Sequence, residues 1–407
     1  MIKIDKKFFE YIFLAVLFCF SISIFNLAGY IFAGMILCMF ILCRKNIEIS
    51  FFEIILLMFS LSYGVIFSIH FEMGITEFIL YFIGPWSAYI LGKVYIKTSR
   101  LKNSFIIFIT ILSLGMYLHG ILNVIAYVRS EYILLYQYYR QSVDFWRNEL
   151  VNVKTTEMLF TFATGISLGV VFTTYKAVYK IIASLIIAFS IFVTIFFANR
   201  TLMIIFFVIL LWRGICWFLD KKVPNKNKII ASIIILTVLL LLFVLISLNI
   251  GGLGDSFYTI KIVQRFFSDD EYTRFDVWDL FIKDFRFVEH PFGGNKLVEN
   301  EEFGYLHNMW LDVYNIVGAI PMILLIIFTI AVVIKFFYFR KITRNSDQNN
   351  IYIIFQSLIL AVFMNMMVEP IIEANPYYFL ISIMFFGAMD SYMNKTVDER
   401  SALCFEK

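Results

Sequence analysis

The densest run of reactive side chains in this sequence lies just past position 305. His307 and Asn308 open an apolar segment, and Asn308, Asp312 and Asn315 follow i, i+4, i+7 spacing, which draws a polar stripe along one face of a helix. An imidazole at such a mouth can take a proton near neutral pH. A carboxylate inside an apolar span is costly and usually faces a partner or a water-filled cavity. His307 and Asn308 could simply cap the helix start, but cap and intramembrane Asp together favour a site. Arg200 is the single charge in residues 181–212. It either snorkels to an interface or uses its planar, always-charged fork to hold a phosphate. Arg265 and Arg274 lie in a net acidic stretch, where they either pair with carboxylates or help Arg200 clamp a diphosphate, Arg274 being the better placed.

Weaker candidates surround these. Glu369 and Glu373 flank Pro370 and could pair with Arg200 or line the same cavity. His290 precedes Pro291 and reads first as a turn residue, with a supporting role second. His119 falls inside an apolar run and His70 in a short turn. Asp269-Asp270-Glu271 offers oxygen ligands of the kind divalent ions accept, yet adjacent surface carboxylates are usually solvated, and no metal is expected. Gly251-Gly252-Leu253-Gly254 and Gly293-Gly294 lack the Lys-Ser/Thr that a phosphate-cradling loop needs. No cofactor is implied.

The elements that must position these groups are membrane helices. Sixty-one per cent of the 407 residues are apolar and 16% are charged, which excludes an ordinary soluble domain. A spanning helix needs about 20 mainly apolar residues. Twelve runs qualify: 8–25, 27–43, 51–69, 74–92, 104–128, 156–174, 181–198, 201–219, 229–248, 309–336, 351–369 and 377–392. They are continuous rather than alternating, so they predict an all-α polytopic bundle and not a barrel. The basic start, Met1 to Lys7, runs into the first span without a small-residue cleavage site and reads as a retained anchor.

Charge sets the predicted orientation. Most of the 34 Lys and Arg fall in alternate connections that include Arg44, Lys93, Lys176, Lys221 and Arg340, while the short turns near 26, 70 and 372 carry none. Both termini are therefore expected in the cytoplasm. The net charge of +4 is explained by this sidedness, and no nucleic-acid partner is expected. All five cysteines fall in spans or on the cytoplasmic side, so neither disulfides nor cysteine-zinc sites are expected.

No repeats or linkers divide the chain, and residues 1–407 read as one domain with two long external loops. The first, 129–155, is rich in Tyr and Arg, suited to interfacial anchoring or to stacking on sugars. The second, 249–308, lies between the ninth and tenth spans. Phe275, Trp278, Ile282 and Phe285 recur within it at helical spacing, which predicts an amphipathic helix near 274–286.

Four motifs in a fixed order carry a resemblance. Asn199-Arg200 ends a helix, Arg274-Phe-Asp-Val-Trp278 and His290-Pro-Phe-Gly293 lie in the long loop, and His307-Asn308-Met-Trp-Leu311 precedes Gly318. Across residues 195–320 this resembles the O-antigen polymerase and ligase superfamily (Wzy-type). Members commonly show Gly-x-Gly after the His-Pro element, where this chain has Gly293-Gly294-Asn295. The resemblance implies a GT-C-like helical bundle in a bacterial inner membrane and an undecaprenyl-diphosphate-linked oligosaccharide donor. It also implies metal-independent glycosyl transfer on the external face, beside a flippase and a chain-length regulator. The residues are compatible: arginines would hold the leaving diphosphate, His307 would deprotonate the acceptor and Asp312 would tune the site. A repeat-unit polymerase is the reading preferred. A ligase would use the same donor chemistry, and a flippase or transporter would suit twelve spans, although the internal repeats common in transporters are not seen.

Overall fold

In the computed structural model the described residues are 6–72, 74–130, 141–219, 224–226, 229, 278–279, 291–292, 306–343 and 349–405. Among them the chain forms α1 (Lys6–Ser21), α2 (Ala28–Cys43), α3 (Phe51–His70), α4 (Ile75–Thr98), α5 (Ser104–Arg129), a hairpin of β1 (Gln141–Asp144) and β2 (Glu149–Asn152), and α6 (Val153–Val171). Then follow α7 (Ala177–Phe196), α8 (Arg200–Leu219), α9 (Met309–Val317), α10 (Ala319–Thr343), α11 (Asn349–Val368), α12 (Ile371–Ala374) and α13 (Pro376–Phe405). Eight of these helices, α2, α3, α4, α5, α7, α8, α10 and α11, are long and apolar enough to cross a bilayer. The protein is an all-α membrane protein. Eleven of the twelve apolar runs lie in helices of the described chain, and the run at 229–248 falls almost wholly outside it.

One predicted element is corrected. The tenth run does not continue as one helix over 309–336 but breaks at Gly318, whose φ of 93° ends α9 and starts α10 in a new direction. A left-handed φ at that position is what a glycine allows and a bulky residue resists. The break is stitched from outside, because the Ile320 amide donates to the carbonyl of Pro291 at 3.3 Å. The polar stripe of the sequence therefore sits on a nine-residue helix, before the membrane-crossing part begins.

Helix contacts use small residues where backbones must approach, as lipid-embedded bundles do. A Cβ on Gly92 of α4 would strike the Met384 carbonyl of α13, and one on Gly387 would strike the Tyr89 carbonyl of α4. Gly165 and Gly169 of α6 do the same against Leu358 and Ile354 of α11, at 3.1 and 2.8 Å from their Cα atoms. These two seams fix α6, α11, α4 and α13, the helices around which the rest pack.

Charge is also buried in the bundle. Lys93 of α4 pairs with Glu53 of α3 and lies 3.9 Å from Asp390 of α13, which also pairs with Lys335 of α10. Glu53, Asp390 and Lys93 are only 0%, 2% and 8% exposed. Two cations thus neutralise two carboxylates across four helices. Taking one partner away strands a buried charge, which is worse than never having the pair. Lys93→Met should lower stability in detergent by about 3 kcal/mol, and adding Glu53→Gln should recover much of it. Equal melting of the single and double variants would contradict this account.

Between α5 and α6 the predicted loop contains the short antiparallel hairpin, pairing Gln141 with Asn152 and Asp144 with Glu149. Asn123 of α5 accepts the Phe145 amide at 2.9 Å, the Trp146 indole donates to the Ile22 carbonyl, and Arg147 Nε donates to Asn26, both also at 2.9 Å. His119 Nε2 lies 3.5 Å from Asp144 Oδ2. Burial pushes the Asp144 carboxyl up, but bonding from His119 and the Arg147 and Trp146 amides outweighs it and holds the group below its usual range. The hairpin is pinned where α6 begins.

Candidate functional site

Three helix starts and one helix end meet at one end of the bundle. Asn152 caps α6 by accepting the Lys154 amide at 3.0 Å, which sets Lys154 in the first turn. Phe197 and Ala198 turn the chain from α7 to α8, with Ala198 at a left-handed φ of 51°. Asn199 then accepts the Thr201 amide at 2.6 Å and opens α8. Asn308 caps α9 by accepting the Leu311 amide at 3.2 Å. Pro370 follows Glu369 and lacks the amide that a continuing α11 would need. Each of these is a local sequence signal of the ordinary kind.

Their side chains form a compact charged group. Lys154 Nζ lies 3.2 Å from His307 Nδ1 and 3.3 Å from Glu369 Oε2. His307 Nδ1 is 3.8 Å from the same carboxylate oxygen. The Thr201 hydroxyl donates to Glu369 Oε1 at 2.6 Å. Glu369 is 1% exposed, while the Lys154 and His307 side chains keep 28% and 30%. The carboxylate is thus sunk and satisfied, and the cation and imidazole face outward.

Below them lies a small cavity with room for about one water molecule, walled by Lys154, Glu157, Thr161, Asn199, Thr201, Asn365 and Glu369 with three apolar residues. Asn365 Nδ2 donates to Thr161 Oγ1 at 3.0 Å on its floor. Three helix N-termini supply partial positive charge here, and such ends favour anions. The arrangement suits binding an anion beside Lys154, with the His307 imidazole next to it.

The sequence-based candidates divide in the structure. His307 and Glu369 come together. Arg200 is the first residue of α8, half-buried, and sits between two residues that line the cavity without itself lining it. Asn308 caps α9 and donates from Nδ2 to the Met367 carbonyl at 3.2 Å, tying α9 to the end of α11. Asn315 is buried at 1% exposure, away from the cavity wall. Arg265, Arg274 and His290 lie outside the described residues, as does most of the predicted amphipathic helix. Its Trp278 and Asp279 are helical, and the Trp278 indole donates to the Leu306 carbonyl at 2.7 Å. That bond rests one point of the long loop against the residue before His307.

Asp312 sits behind the site. It is fully buried, and its two oxygens accept the Leu306 amide at 2.6 Å and the Asn308 amide at 2.9 Å. Those amides flank His307, which adopts a left-handed φ of 53°. A non-glycine residue holds such a conformation only when its surroundings impose it. The carboxylate supplies that constraint, so Asp312 positions the imidazole from beneath.

Behind Asp312 is Glu373, which accepts the Tyr63 hydroxyl at 2.8 Å. Burial raises both carboxyls, Asp312 being pushed further by the Glu373 charge. Burial carries Glu373 to about 7, against the lowering bond from Tyr63. The folded chain therefore holds this proton more tightly than the unfolded one. The stabilising contribution is complete below the ordinary value of 4.5 and is lost as pH climbs to about 7. Thermal stability should fall across that window by on the order of 1–3 kcal/mol. Glu373→Gln, which still accepts from Tyr63, should flatten the slope; an unchanged slope would assign the titration elsewhere.

Lys154 and Thr201 were not singled out in the sequence reading, and Asn199 entered it only through the Asn199-Arg200 motif. The predicted span began at 156 and left Lys154 in the loop, although Lys154 and Glu157 at i, i+3 open the α6 face. No protein-family model matches this chain, and no curated protein matches it significantly.

Proposed function

We propose that this protein is a glycosyltransferase that joins undecaprenyl-diphosphate-linked oligosaccharide repeat units into a surface polysaccharide, at the non-cytoplasmic face of a bacterial inner membrane. The observation that carries this reading is the meeting of Lys154, His307 and Glu369 at three helix N-termini, at the edge of a cavity in an apolar bundle. A lipid diphosphate arrives in the membrane plane and needs cations, which Lys154 and Arg200 supply, with Arg274 or Arg265 joining from the long loop.

In the resting site Lys154 points an N–H at His307 Nδ1, so that nitrogen is occupied. A diphosphate oxygen draws Lys154 away and frees Nδ1. The acceptor sugar hydroxyl then attacks the anomeric carbon of the donor while His307 Nδ1 takes its proton. The bond from that carbon to the diphosphate oxygen breaks, and its electron pair leaves with undecaprenyl diphosphate. The new glycosidic bond has inverted configuration. Glu369, held by Thr201, stabilises the imidazolium that forms. Lys154 stands between His307 and Glu369, so a protein cation meets the charge of the leaving group.

The test is the glycan profile of a strain lacking the gene. Single repeat units on the final acceptor support a polymerase. Long lipid-linked chains left untransferred would replace it with a ligase, and lipid-linked units held in the cytoplasm would replace it with a flippase.

A further inference from the structure

We propose a second anion site at the opposite end of the bundle, in which Arg213, Arg340 and the Tyr352 hydroxyl hold the phosphate of an anionic lipid headgroup. Arg213 belongs to α8 and is only 8% exposed. One of its nitrogens donates to Gln356 of α11, and its guanidinium carbon stands 5.7 Å from the centre of the Phe172 ring. Its Nε has no hydrogen-bond partner, and no carboxylate among the described residues pairs with it. Arg340 is a second cation that acts on it electrostatically.

The neighbouring hydroxyl repeats the pattern. Tyr352 is 7% exposed, feels both arginines, and its hydroxyl has no hydrogen-bond partner. Among the described residues, Gln356 is the side chain that accepts from Arg213. A buried guanidinium that meets no carboxylate among the described residues is a costly arrangement in a bundle, and it is kept where an anion completes it. A snorkelling arginine would instead extend its head into water.

The location supplies the anion. Phe172 immediately follows the last residue of α6, Arg340 closes the apolar stretch Ala319–Arg340, and Tyr352 lies in the first turn of α11. These are helix ends, at headgroup depth. The charge bias of the sequence predicts that this end faces the cytoplasm, where leaflets are rich in anionic lipid. A phosphodiester has two unbridged oxygens to match the guanidinium fork. The exposed Arg340 offers it a way in from the surface.

Native mass spectrometry of the full-length protein, titrated with phosphatidylglycerol, tests this. Saturable binding is expected, weakened about fivefold by Arg213→Gln and again by Arg340→Gln, at the usual strength of one arginine toward an anionic surface. Tyr352→Phe should weaken it less. Arg340 is exposed, so its variant reports even if Arg213→Gln fails to fold. Phosphatidylcholine should bind more weakly, and inorganic phosphate should not compete. Unchanged phosphatidylglycerol affinity in Arg340→Gln, or equal binding of phosphatidylcholine, overturns the proposal. Full competition by inorganic phosphate would overturn its lipid source.

Discussion

Exchanging Lys154 for methionine should cut glycosyl transfer by purified protein about a thousandfold, with His307→Ala costing as much and the double variant little more. The argument rests on the shared geometry of the two groups. Lys154 Nζ sits 3.2 Å from His307 Nδ1 and 3.3 Å from Glu369 Oε2. In the proposed reaction, removing the ammonium takes a cation from the leaving diphosphate, and in the structure it takes the counter-charge from a carboxylate 1% exposed. Losing one charge-stabilising donor in a preorganised site typically costs about 10²–10³ in rate. Here the same loss also disturbs the base, and groups that act as a unit are strongly non-additive. Lys154→Arg should restore part of the rate because the charge remains, though a rigid fork cannot satisfy both neighbours as an ammonium does. The measurement is transfer from a synthetic lipid-diphosphate donor at matched protein abundance. If His307→Ala still makes polymer of normal length, His307 is not the base. If the two single losses simply multiply, the unit described here does not exist.

The helices were legible in the sequence because a bilayer demands long apolar runs, and such runs are hard to mistake. What that signal cannot show is a break that keeps its hydropathy. Gly318 lies between Val317 and Ala319, so the apolar run passes through it unbroken. Only the backbone reveals the turn, at φ 93°. His307 and Glu369 were legible for a related reason: titratable groups at the edges of apolar runs are few, and each needs a purpose. Lys154 escaped because it falls in a long loop that already carries Arg129, Arg140 and Arg147, where one more cation does not stand out. Its importance comes from Glu369, 215 positions later in the chain, reaching the same point through the packing of α6 on α11. Gly165 and Gly169 permit that packing, and spacing alone does not announce which helices will meet. The β-hairpin was equally hidden, since Tyr and Arg in an external loop suit an interface as well as a fold.

Asp312→Asn should lower transfer by at least about 10²-fold while the protein still accumulates and retains its helices. The sequence alone suggested a tuning or catalytic group, but both oxygens of Asp312 are turned to the backbone amides of Leu306 and Asn308. Asparagine keeps one acceptor and brings two N–H donors, so one of the two amides must face a donor in a buried place. Leaving a buried donor unmatched costs about 1–3 kcal/mol, enough to release the left-handed turn at His307. The turn carries the proposed base, and a displacement near 1 Å can cost about 10²-fold in rate. Because Asp312 works through backbone geometry, the loss should fall on kcat with KM for the donor nearly unchanged. Lys154→Met, by contrast, should move both. The His307 imidazole provides a readout that a purely structural defect would leave alone: its NMR titration in isotopically labelled protein should broaden or shift in Asp312→Asn and stay put in Asn315→Ala, where the changed side chain lies away from the cavity wall. A normal His307 signal together with lost activity would return Asp312 to the reacting atoms themselves, and normal activity would show that the turn at His307 holds without its clamp.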